Sequence, residues 1–517
     1  MDATPDTAAA ATRFPRLCVS AASGGGGKTL LSLGLARAFR EAGITVKPFK
    51  KGPDYIDAAW LGRAAGGAGG APATNLDPFF LEAPELARLF AKTLEAAAPQ
   101  GSCRLGLIEG NRGLYDGLDE AGSCSTARLA RALACPVLLC LDATKMTRTA
   151  VALLSGLLNF ESGLRFCGVV FNRVGSPRHE DALRRMVAAH LELPVLGALP
   201  RMARNPLPER HMGIASTGGS LSAEADALLN ELAVLVREHV DMGALLTAAK
   251  SAGPLPGVEA ESTGETRAQA PEPLHISAPP TATPRSFAAP KIRPRIGYVR
   301  DAAFWFYYPE NLAALTEAGA ELVPLSLADA PESGAGLWEG LDGLYLGGGF
   351  PEDFLPQLSG SPQLTRLAGL SQAGLPIYAE CGGMILLSQG MERDGVFWPL
   401  AGALPLRIVW TPRPQGLGYV EGIVRGANPF FPAGLRLRGH EFHYSACRLD
   451  ADAAPPALEL VRGSGMGRQA GGATPVDGIL CGSTWGAYTH IFAPAVPCWA
   501  PNFVAAAADR REARART

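Results

Sequence analysis

The sequence predicts a protein made of two α/β domains, and three observations lead to this prediction. Up to residue 245, short apolar runs alternate with helical patterns. The same alternation begins again at residue 293. Between them, residues 246–292 are rich in Pro, Ala, Ser and Thr and have no apolar period, which is typical of a disordered linker. We therefore expect an N-terminal domain over residues 14–245 and a C-terminal domain over residues 293–505, with frayed ends in residues 1–13 and 508–517.

Composition and charge exclude several classes of partner. The chain has 517 residues, and 47 Lys and Arg against 49 Asp and Glu give a net charge of −2. No basic excess points to nucleic acid, and no apolar run is long enough to span a membrane. The N-terminus has no apolar signal region, and the 10 cysteines show no zinc spacing. These features predict a cytoplasmic protein with reduced thiols. They leave its oligomeric state open, with a homodimer as one candidate.

The predicted N-terminal strands are continuous apolar runs with helical patterns between them. Continuous apolar strands of this kind indicate a parallel sheet that is covered on both faces. The candidate strands are residues 16–22, 45–50, 104–110, 136–143, 166–172 and 194–200. Ligands of open α/β sheets bind beyond the carboxyl ends of the strands. The polar residues at these ends are Ser23, Glu109, Asp142 and Asn172.

The segment SAASGGGGKTLL, residues 20–31, nearly fits the phosphate-binding pattern G-x-x-x-x-G-K-[ST]. Ala22 occupies the first glycine position of that pattern. Successive glycine amides can converge on phosphate oxygens, and the following helix adds its positive end. The lysine would reach the terminal phosphates, and the threonine hydroxyl would bind Mg²⁺. The predicted loop residues are Gly25, Gly26, Gly27, Lys28 and Thr29.

Acidic side chains near this loop are candidates for holding Mg²⁺, which prefers oxygen ligands. Asp54 and Asp57 follow a predicted strand in KKGPDYID, residues 50–57. Glu109 ends another strand, and Gly110 after it permits close approach of a ligand. A single acid at a strand end is as often a helix N-cap as a metal ligand.

The C-terminal domain contains a candidate nucleophile in YAECGG, residues 378–383. Cys381 lies between a buried-looking strand and a helix, and Ala379 and Gly383 leave room for a sharp turn. This arrangement is typical of a nucleophile elbow. We expect the helix N-terminus to lower the pKa of the thiol. The alternative interpretation is a buried structural cysteine.

A thiolate nucleophile also needs an oxyanion site and a base. YLGGGFPE, residues 345–352, offers consecutive backbone amides after a strand and suits an oxyanion hole. Three histidines are candidate bases, and their spacing does not choose among them. They are His440 and His443 in RGHEFHYS and His490 in YTHIF.

Eight segments together resemble one known family. In chain order they are SGGGGKT, KKGPDYID, EGNRGLYDG, RDAAFWFYYPENL, LYLGGGFPE, YAECGG, RGHEFHYS and YTHIF. This order is similar to that of the cobyrinate/hydrogenobyrinate a,c-diamide synthases of cobalamin biosynthesis, and the match spans about residues 16–505. The resemblance implies a dethiobiotin-synthetase-like P-loop domain followed by a class I glutamine amidotransferase domain. It also implies a ligase that uses ATP and Mg²⁺ to amidate the a- and c-acetate carboxylates of a corrinoid tetrapyrrole with ammonia from glutamine.

The resemblance also assigns roles to individual positions. Cys381 matches the nucleophile and His490 the catalytic histidine, while Gly348 and Gly382 lie where oxyanion amides are expected. In the other domain, the implied phosphate, metal and base contacts are Lys28, Thr29, Asp54, Glu109 and Asn172. Weaker candidates for the corrin carboxylate region are Tyr55, Tyr115 and Asp116.

The sequence departs from the family pattern in a few places. Phe492 stands where many class I amidotransferases have the third triad Glu, so His490 needs another orienting partner, for which Glu441 is a candidate. Many members also have a second histidine after the first in the YTH motif, and it is absent here. Ala22 leaves the detailed geometry of phosphate binding open. The linker is long for this family, and we interpret it as an insertion with no catalytic role.

Other functions remain to be distinguished at this stage. A partitioning-type P-loop ATPase switch would fit the N-terminal half alone, but it has no need of the Cys381 domain. Within the amidotransferases, cobyric acid synthase is the nearest rival, and KKGPDYID and RGHEFHYS favour the diamide synthase. Cobyrinate is the expected substrate, with hydrogenobyrinate or nickel-sirohydrochlorin as alternatives. The sequence does not determine whether the macrocycle already holds a metal.

Overall fold

A computed structural model describes residues 14–66, 70, 72–97, 103–202, 223–258, 293–327, 338–449, 455–467 and 474–516. The predictions of a frayed start at residues 1–13 and of a linker over residues 259–292 lie outside this described part. All the segments that carry the family resemblance lie within it.

The N-terminal domain is built on a seven-stranded parallel sheet in the order β3-β2-β4-β1-β5-β6-β7. Its strands are β1 (Arg16–Ala21), β2 (Thr45–Lys51), β3 (Thr74–Leu76), β4 (Arg104–Glu109), β5 (Val137–Asp142), β6 (Phe166–Val174) and β7 (Val195–Pro200). The parallel sheet and its six predicted strands are confirmed, and β3 is a seventh that the sequence reading missed.

Helices cover this sheet on both sides. They are α1 (Lys28–Glu41), α2 (Ile56–Gly66), α3 (Ala83–Ala96), α4 (Thr126–Ala132), α5 (Arg148–Asn159), α6 (Pro177–His190), α7 (Ala223–His239) and α8 (Met242–Lys250). Strand β1 shows the double burial directly: Leu17 and Val19 join one apolar cluster, and Cys18 between them joins the cluster on the other face. Such a strand has no polar face, which explains why its sequence is a continuous apolar run.

The linker prediction was wrong at its N-terminal end. Residues 246–250 complete helix α8, and Ala249, Ala252 and Leu255 are buried against the N-terminal domain. The buried Arg16 side chain also donates a hydrogen bond of 2.8 Å to the Gly253 carbonyl. Residues 246–258 therefore belong to the N-terminal domain, because their small apolar side chains find a surface to cover.

The C-terminal domain has a six-stranded sheet in the order β10-β8-β11-β13-β23-β22, in which only β22 is antiparallel to its neighbour. Smaller sheets flank it. The strands are β8 (Arg295–Val299), β9 (Phe304–Phe306), β10 (Glu321–Leu325), β11 (Gly343–Leu346), β12 (Gly348–Gly349), β13 (Ile377–Glu380), β14 (Gly390–Arg393), β15 (Val396–Pro399), β16 (Leu406–Trp410), β17 (Gly416–Val424), β18 (Arg436–His443), β19 (Ser445–Leu449), β20 (Leu458–Arg462), β21 (Val476–Asp477), β22 (Ile479–Cys481), β23 (Thr484–Ala487) and β24 (His490–Ile491). The second predicted α/β domain is confirmed.

The C-terminal domain contains five α-helices among the described residues, and the last one extends beyond the predicted end of the domain at residue 505. They are α9 (Pro309–Glu317), α10 (Leu355–Leu358), α11 (Pro362–Gln372), α12 (Gly382–Leu387) and α13 (Trp499–Arg516). Two 3₁₀ helices cover Pro351–Phe354 and Ala493–Ala495. The prediction of a frayed tail after residue 507 was wrong, because Arg511 and Arg514 of α13 form ion pairs with the buried Asp342.

Aromatic side chains join the two domains. Tyr55 of the N-terminal domain stacks on Phe306 of the C-terminal domain with ring centroids 4.9 Å apart. Phe79 stacks on Tyr419 at 4.3 Å, and the Tyr419 hydroxyl donates to Asp77 at 2.6 Å. Burial of large rings contributes strongly to association, so the domains share a continuous apolar contact.

Candidate functional site

The glycine loop lies between β1 and α1, as predicted. Gly25 and Gly27 have φ angles of 72° and 98°, a region that favours glycine. A Cβ atom on Gly27 would lie 2.1 Å from Nδ2 of Asn172, so this position also needs the missing side chain. The Lys28 ammonium donates to the Ser23 carbonyl at 3.0 Å, which folds this side chain back over the loop. The loop has the conformation and the lysine that a phosphate cradle requires.

Four side chains meet below this loop at the carboxyl ends of β2 and β4. The Thr29 hydroxyl donates to Oε1 of Glu109 at 2.7 Å. Lys50 donates to the same oxygen at 2.8 Å and to Asp57 at 2.5 Å. Burial alone would lower the pKa of Lys50, but Asp57 and Glu109 outweigh it and raise that pKa. Oε2 of Glu109 is buried and has no hydrogen-bond partner among the described residues.

Of the predicted acids, Asp57 is therefore paired with a lysine, and Asp54 forms a hydrogen bond at the start of a helix. Oδ1 of Asp54 accepts a 2.8 Å hydrogen bond from the Asp57 amide at the start of α2, which is the N-cap alternative. Burial raises the pKa of Asp54 to about 7, and Asp57 adds to this shift while Lys50 opposes it. Asp54 also lines the cavity between the domains.

Asn172 lies against the loop, at the end of β6. Its Nδ2 donates to the Gly26 carbonyl at 3.2 Å, and its Oδ1 accepts from the Arg173 amide at 2.9 Å. This position at the carboxyl edge of the sheet agrees with the side at which a nucleotide would lie.

Cys381 forms a strained turn between β13 and α12. Its φ of 46° and ψ of −102° are unusual for a residue with a side chain. A Cβ on Gly383 would lie 2.4 Å from the Leu346 carbonyl oxygen, so the turn requires the small neighbour that the sequence predicted. The geometry agrees with a nucleophile elbow.

The predicted direction of the Cys381 pKa was wrong. Burial raises the pKa of the thiol well above its ordinary value, and the negative charge of Glu352 raises it further. The Gly382 amide at the helix start lowers it, as expected, but this effect is smaller than that of burial. The Sγ atom lies 3.7 Å from the Phe442 carbonyl, which accepts its weak hydrogen bond.

The two predicted oxyanion glycines lie where the elbow, strand β12 and His490 approach one another. A Cβ on Gly382 would lie 2.9 Å from the Gly349 amide nitrogen, and a Cβ on Gly348 would lie 2.4 Å from Cε1 of His490. The tight approach of these three segments is possible because glycines occupy both positions. The structure thus brings Gly348, Gly382 and His490 together.

His490 has Glu380, not Glu441, beside it. Its Nδ1 lies 3.5 Å from Oε2 of Glu380, and both side chains are buried. Glu441 instead accepts hydrogen bonds from the Ser464 and Gly465 amides and from Nε2 of His443. Those bonds satisfy its carboxylate, so the hypothesis that Glu441 orients His490 was wrong.

The other two candidate histidines, His440 and His443, differ in their contacts. His440 stacks on His490 with ring centroids 4.8 Å apart, and its Nδ1 lies 3.3 Å from the Tyr308 hydroxyl. Burial lowers the pKa of His440 well below its ordinary value, and the neighbouring His490 lowers it further. His443 stacks on Tyr488 at 3.6 Å. We therefore regard His490 as the candidate base, with neutral His440 packed against its ring.

A cavity of about 750 Å³ lies between the domains. Its walls include Asp54 and Asn111 from the N-terminal domain and His440 and His490 from the C-terminal domain. A larger cavity of about 970 Å³ lies elsewhere at the domain junction, and neither Asp54 nor His490 lines it. The smaller cavity is the candidate substrate site, because Asp54 and the candidate base His490 line it.

Two of the three candidate corrin contacts line this cavity. They are Tyr55 and Asp116. Tyr115 does not, because its hydroxyl donates to the Leu157 carbonyl at 2.5 Å and its ring contacts Phe160. The corrin contact expected of Tyr115 therefore has no support from the lining of this cavity, and it stays a prediction.

Sequence reasoning missed Lys50 and Glu380. Both lie inside motifs that the sequence analysis quoted, KKGPDYID and YAECGG. The available signal for Lys50 was its place beside Lys51 at the end of β2. Adjacent strand residues point to opposite faces, so one of the two lysines must point to the same face as the loop. Glu380 is the last residue of a strand that otherwise looks buried, and an acid there needs partners.

A P-loop domain and a cysteine amidotransferase domain that share one cavity define a glutamine-dependent amidotransferase that uses a nucleotide. The comparisons agree: residues 17–214 match the CobQ/CobB/MinD/ParA nucleotide binding domain, and residues 295–496 match the CobB/CobQ-like glutamine amidotransferase domain. The cobyrinate a,c-diamide synthase of Magnetococcus marinus is 37% identical over 95% of this chain and 96% of its own. The cobyrinate a,c-diamide synthase of Syntrophotalea carbinolica is 37% identical over 95% of this chain and 98% of its own.

A third relative carries the other name of this family. The hydrogenobyrinate a,c-diamide synthase of Streptomyces coelicolor is 35% identical over 85% of this chain and 89% of its own. The chain belongs to the cobyrinate/hydrogenobyrinate a,c-diamide synthase family. Among the described helices, none combines the length and apolar character needed to cross a bilayer.

Proposed function

We propose that this protein amidates the a- and c-acetate carboxylates of cobyrinate, using ATP and ammonia that it releases from glutamine. One observation carries the proposal: a single cavity is lined by Asp54, an acid near Lys50 and Glu109, and by His490 of the glutaminase half. A carboxylate bound in this cavity would therefore lie between the acids of the synthetase half and the histidine of the glutaminase half. A partitioning-type switch has no use for this shared cavity.

The synthetase half has the residues for activating a carboxylate. A carboxylate resists attack by ammonia, because its oxygen is a poor leaving group. Transfer of the γ-phosphoryl group from ATP to a carboxylate oxygen makes an acyl phosphate, from which phosphate leaves when ammonia attacks. Lys28 and the loop amides would stabilise the negative charge that this transfer redistributes.

The residues around Glu109 fit Mg²⁺. The partnerless Oε2 of Glu109 and the adjacent Thr29 hydroxyl offer two oxygen ligands beside the loop. Among the described residues, no group of three or more His, Cys, Asp or Glu could hold a metal ion. Mg²⁺ commonly binds through one or two protein oxygens plus phosphates and waters, so we assign it to Thr29 and Glu109, with Asp54 as a nearby acid. When bound, it would neutralise phosphate charge.

The glutaminase half has the groups for thioester chemistry. His490 takes the proton of the Cys381 thiol, and the sulfur attacks the side-chain amide carbon of glutamine. The carbon–nitrogen bond breaks, the amide nitrogen takes the proton from His490 and leaves as ammonia, and water then hydrolyses the glutamyl thioester. The Gly348 and Gly382 segments would hold the oxyanion, and Glu380 would orient His490.

The test separates the two halves. Cys381→Ala should abolish glutamine-dependent amidation and retain amidation with free ammonium, because the synthetase residues are untouched. Product mass counts the amides formed from cobyrinate, hydrogenobyrinate or nickel-sirohydrochlorin. Loss of both activities in a folded variant would contradict the division of labour.

Hydrogenobyrinate is the second candidate substrate, favoured by the name of the Streptomyces relative. The same mass assay decides between the two corrinoids by their kcat/KM values. A clear preference for the metal-free macrocycle would replace cobyrinate in the proposal.

A further inference from the structure

Glu352 is an acidic residue beside the nucleophile that the chemistry above does not use. It ends the GGGFPE motif and lies on the 3₁₀ helix Pro351–Phe354, directly after the oxyanion strand β12. A Cβ on Gly382 would lie 3.1 Å from Cδ of Pro351, so this short helix packs against the elbow. Glu352 therefore lies close to the place where glutamine must present its amide.

The Glu352 carboxylate is only partly compensated in this structure. Its Oε2 is buried and has no hydrogen-bond partner among the described residues. Arg393 is a neighbouring cation, but its guanidinium donates to the Glu352 backbone carbonyl and to the Asp353 carboxylate at 3.1 Å, and it stacks over Trp410. Burial raises the pKa of Glu352 to about 7, and this effect outweighs the opposing effects of the Glu352 amide and of Arg393.

When glutamine is absent, the negative charge of Glu352 opposes formation of the Cys381 thiolate. Among the charged groups that affect the Cys381 thiol, Glu352 has the largest effect, ahead of Asp477 and Glu380, and all three raise the pKa of that thiol. A negative charge there is counterproductive for a thiolate unless a cation arrives during the reaction. Glutamine itself carries such a cation on its α-carbon.

We propose that the Glu352 carboxylate binds the α-ammonium group of glutamine. The inference rests on the proposed function, since it takes glutamine as the nitrogen donor. The bound ammonium satisfies Oε2 and cancels the charge that opposes thiolate formation. The same contact thus selects an α-amino acid and makes the nucleophile reactive only when the substrate is in place.

The first test compares glutamine with 4-carbamoylbutanoate, which is glutamine without its α-amino group, by measuring ammonia release. The wild-type protein should favour glutamine in kcat/KM. In Glu352→Gln this preference should fall by about 10- to 100-fold, because a charge-assisted hydrogen bond is lost for one substrate only. Glu310→Gln is the matched control, since Oε2 of Glu310 is also buried without a partner but lies on α9, away from the elbow.

The second test measures alkylation of Cys381 by iodoacetamide without substrate, read by mass spectrometry of its peptide. Glu352→Gln should be alkylated several-fold faster at the same pH, because removing the charge favours thiolate, while Glu310→Gln should match wild type. A variant that uses glutamine less well yet has a more reactive thiol is not explained by a purely structural role. If Glu352→Gln does not fold, Glu352→Asp should retain a reduced preference for glutamine.

The outcomes separate the two proposals. A wild-type protein that releases no ammonia from glutamine contradicts the proposed function. A wild-type protein that uses glutamine, together with an unchanged substrate ratio in Glu352→Gln, overturns only the role of Glu352.

Discussion

Replacement of Glu380 by Gln tests the orientation of the catalytic histidine. The carboxylate is fully buried and accepts hydrogen bonds from the hydroxyls of Tyr378 at 3.2 Å and Tyr345 at 3.0 Å and from the Ile491 amide at 3.0 Å. Its Oε2 faces Nδ1 of His490 at 3.5 Å. Catalytic hydrogen bonds are often long before substrate binds, and closure by a few tenths of an ångström would complete this one.

The size of the effect of Glu380→Gln depends on which hydrogen bonds of the Glu380 carboxylate the Gln amide can keep. The amide oxygen of Gln can keep the two bonds that Oε1 accepts, so folding should lose only about 1–3 kcal/mol, from the unmatched pairing with Tyr345. The amide nitrogen would face Nδ1 of His490 and favour the tautomer with its proton on Nε2. That tautomer cannot take the Cys381 proton. Since the tightest orienting carboxylates are worth about 10⁴-fold in kcat, we expect a loss of about 10²- to 10³-fold here.

The assay is ammonia release from glutamine, compared with corrin amidation driven by ammonium chloride. Glu380→Gln should lose the first and retain the second, with a melting transition close to wild type. Glutamine turnover within about twofold of wild type would refute the reasoning, because it would show that His490 needs no carboxylate to set its tautomer.

The remaining predictions concern the nucleotide site and the histidine stack. Gly27→Ala should weaken ATP binding by at least about 10-fold, since φ is 98° and the new Cβ would meet Asn172; calorimetry showing unchanged affinity would contradict this. Glu109→Gln should weaken binding of Mg²⁺-ATP by about 10-fold but leave metal-free ATP binding almost unchanged, and equal losses in both titrations would remove Glu109 from the metal site. Because burial and His490 lower the pKa of His440, the unfolded chain takes up a proton there that the folded chain does not, so stability falls as pH drops below about 6.5. His440→Phe should therefore show a smaller fall in melting temperature between pH 7.5 and pH 5.5, and an equal fall would show that other groups dominate.

The sequence was sufficient to predict an element where a single physical requirement determined its residue pattern. Strands buried on both faces had to be continuous apolar runs, and the elbow and the phosphate loop had to contain small residues. Strand β3 escaped detection because three residues, two of them polar, carry too little pattern. Residues 246–258 were misread because Ala and Pro are typical of linkers, although here Ala249 and Leu255 cover an apolar surface.

The site was harder to predict where a residue's role depends on what long-range folding places beside it. Glu441 and Glu380 are both acids near a candidate histidine in sequence or in space, and only the pairing of β13 with β23 and the position of β24 bring Glu380 to His490. The Cys381 pKa depended on competition between burial and a helix start, and the local sequence contains only the second effect.

The aromatic contact between the domains has a consequence for how the protein can be divided. Phe306 and Tyr419 of the C-terminal half stack on Tyr55 and Phe79 of the N-terminal half. Severing the chain between the halves would leave these rings in water on both fragments, in patches that favour aggregation or re-association. Two separately expressed halves should therefore be recovered as one non-covalent complex. Each half alone should tend to aggregate, so measurements on one isolated half would not represent the whole enzyme.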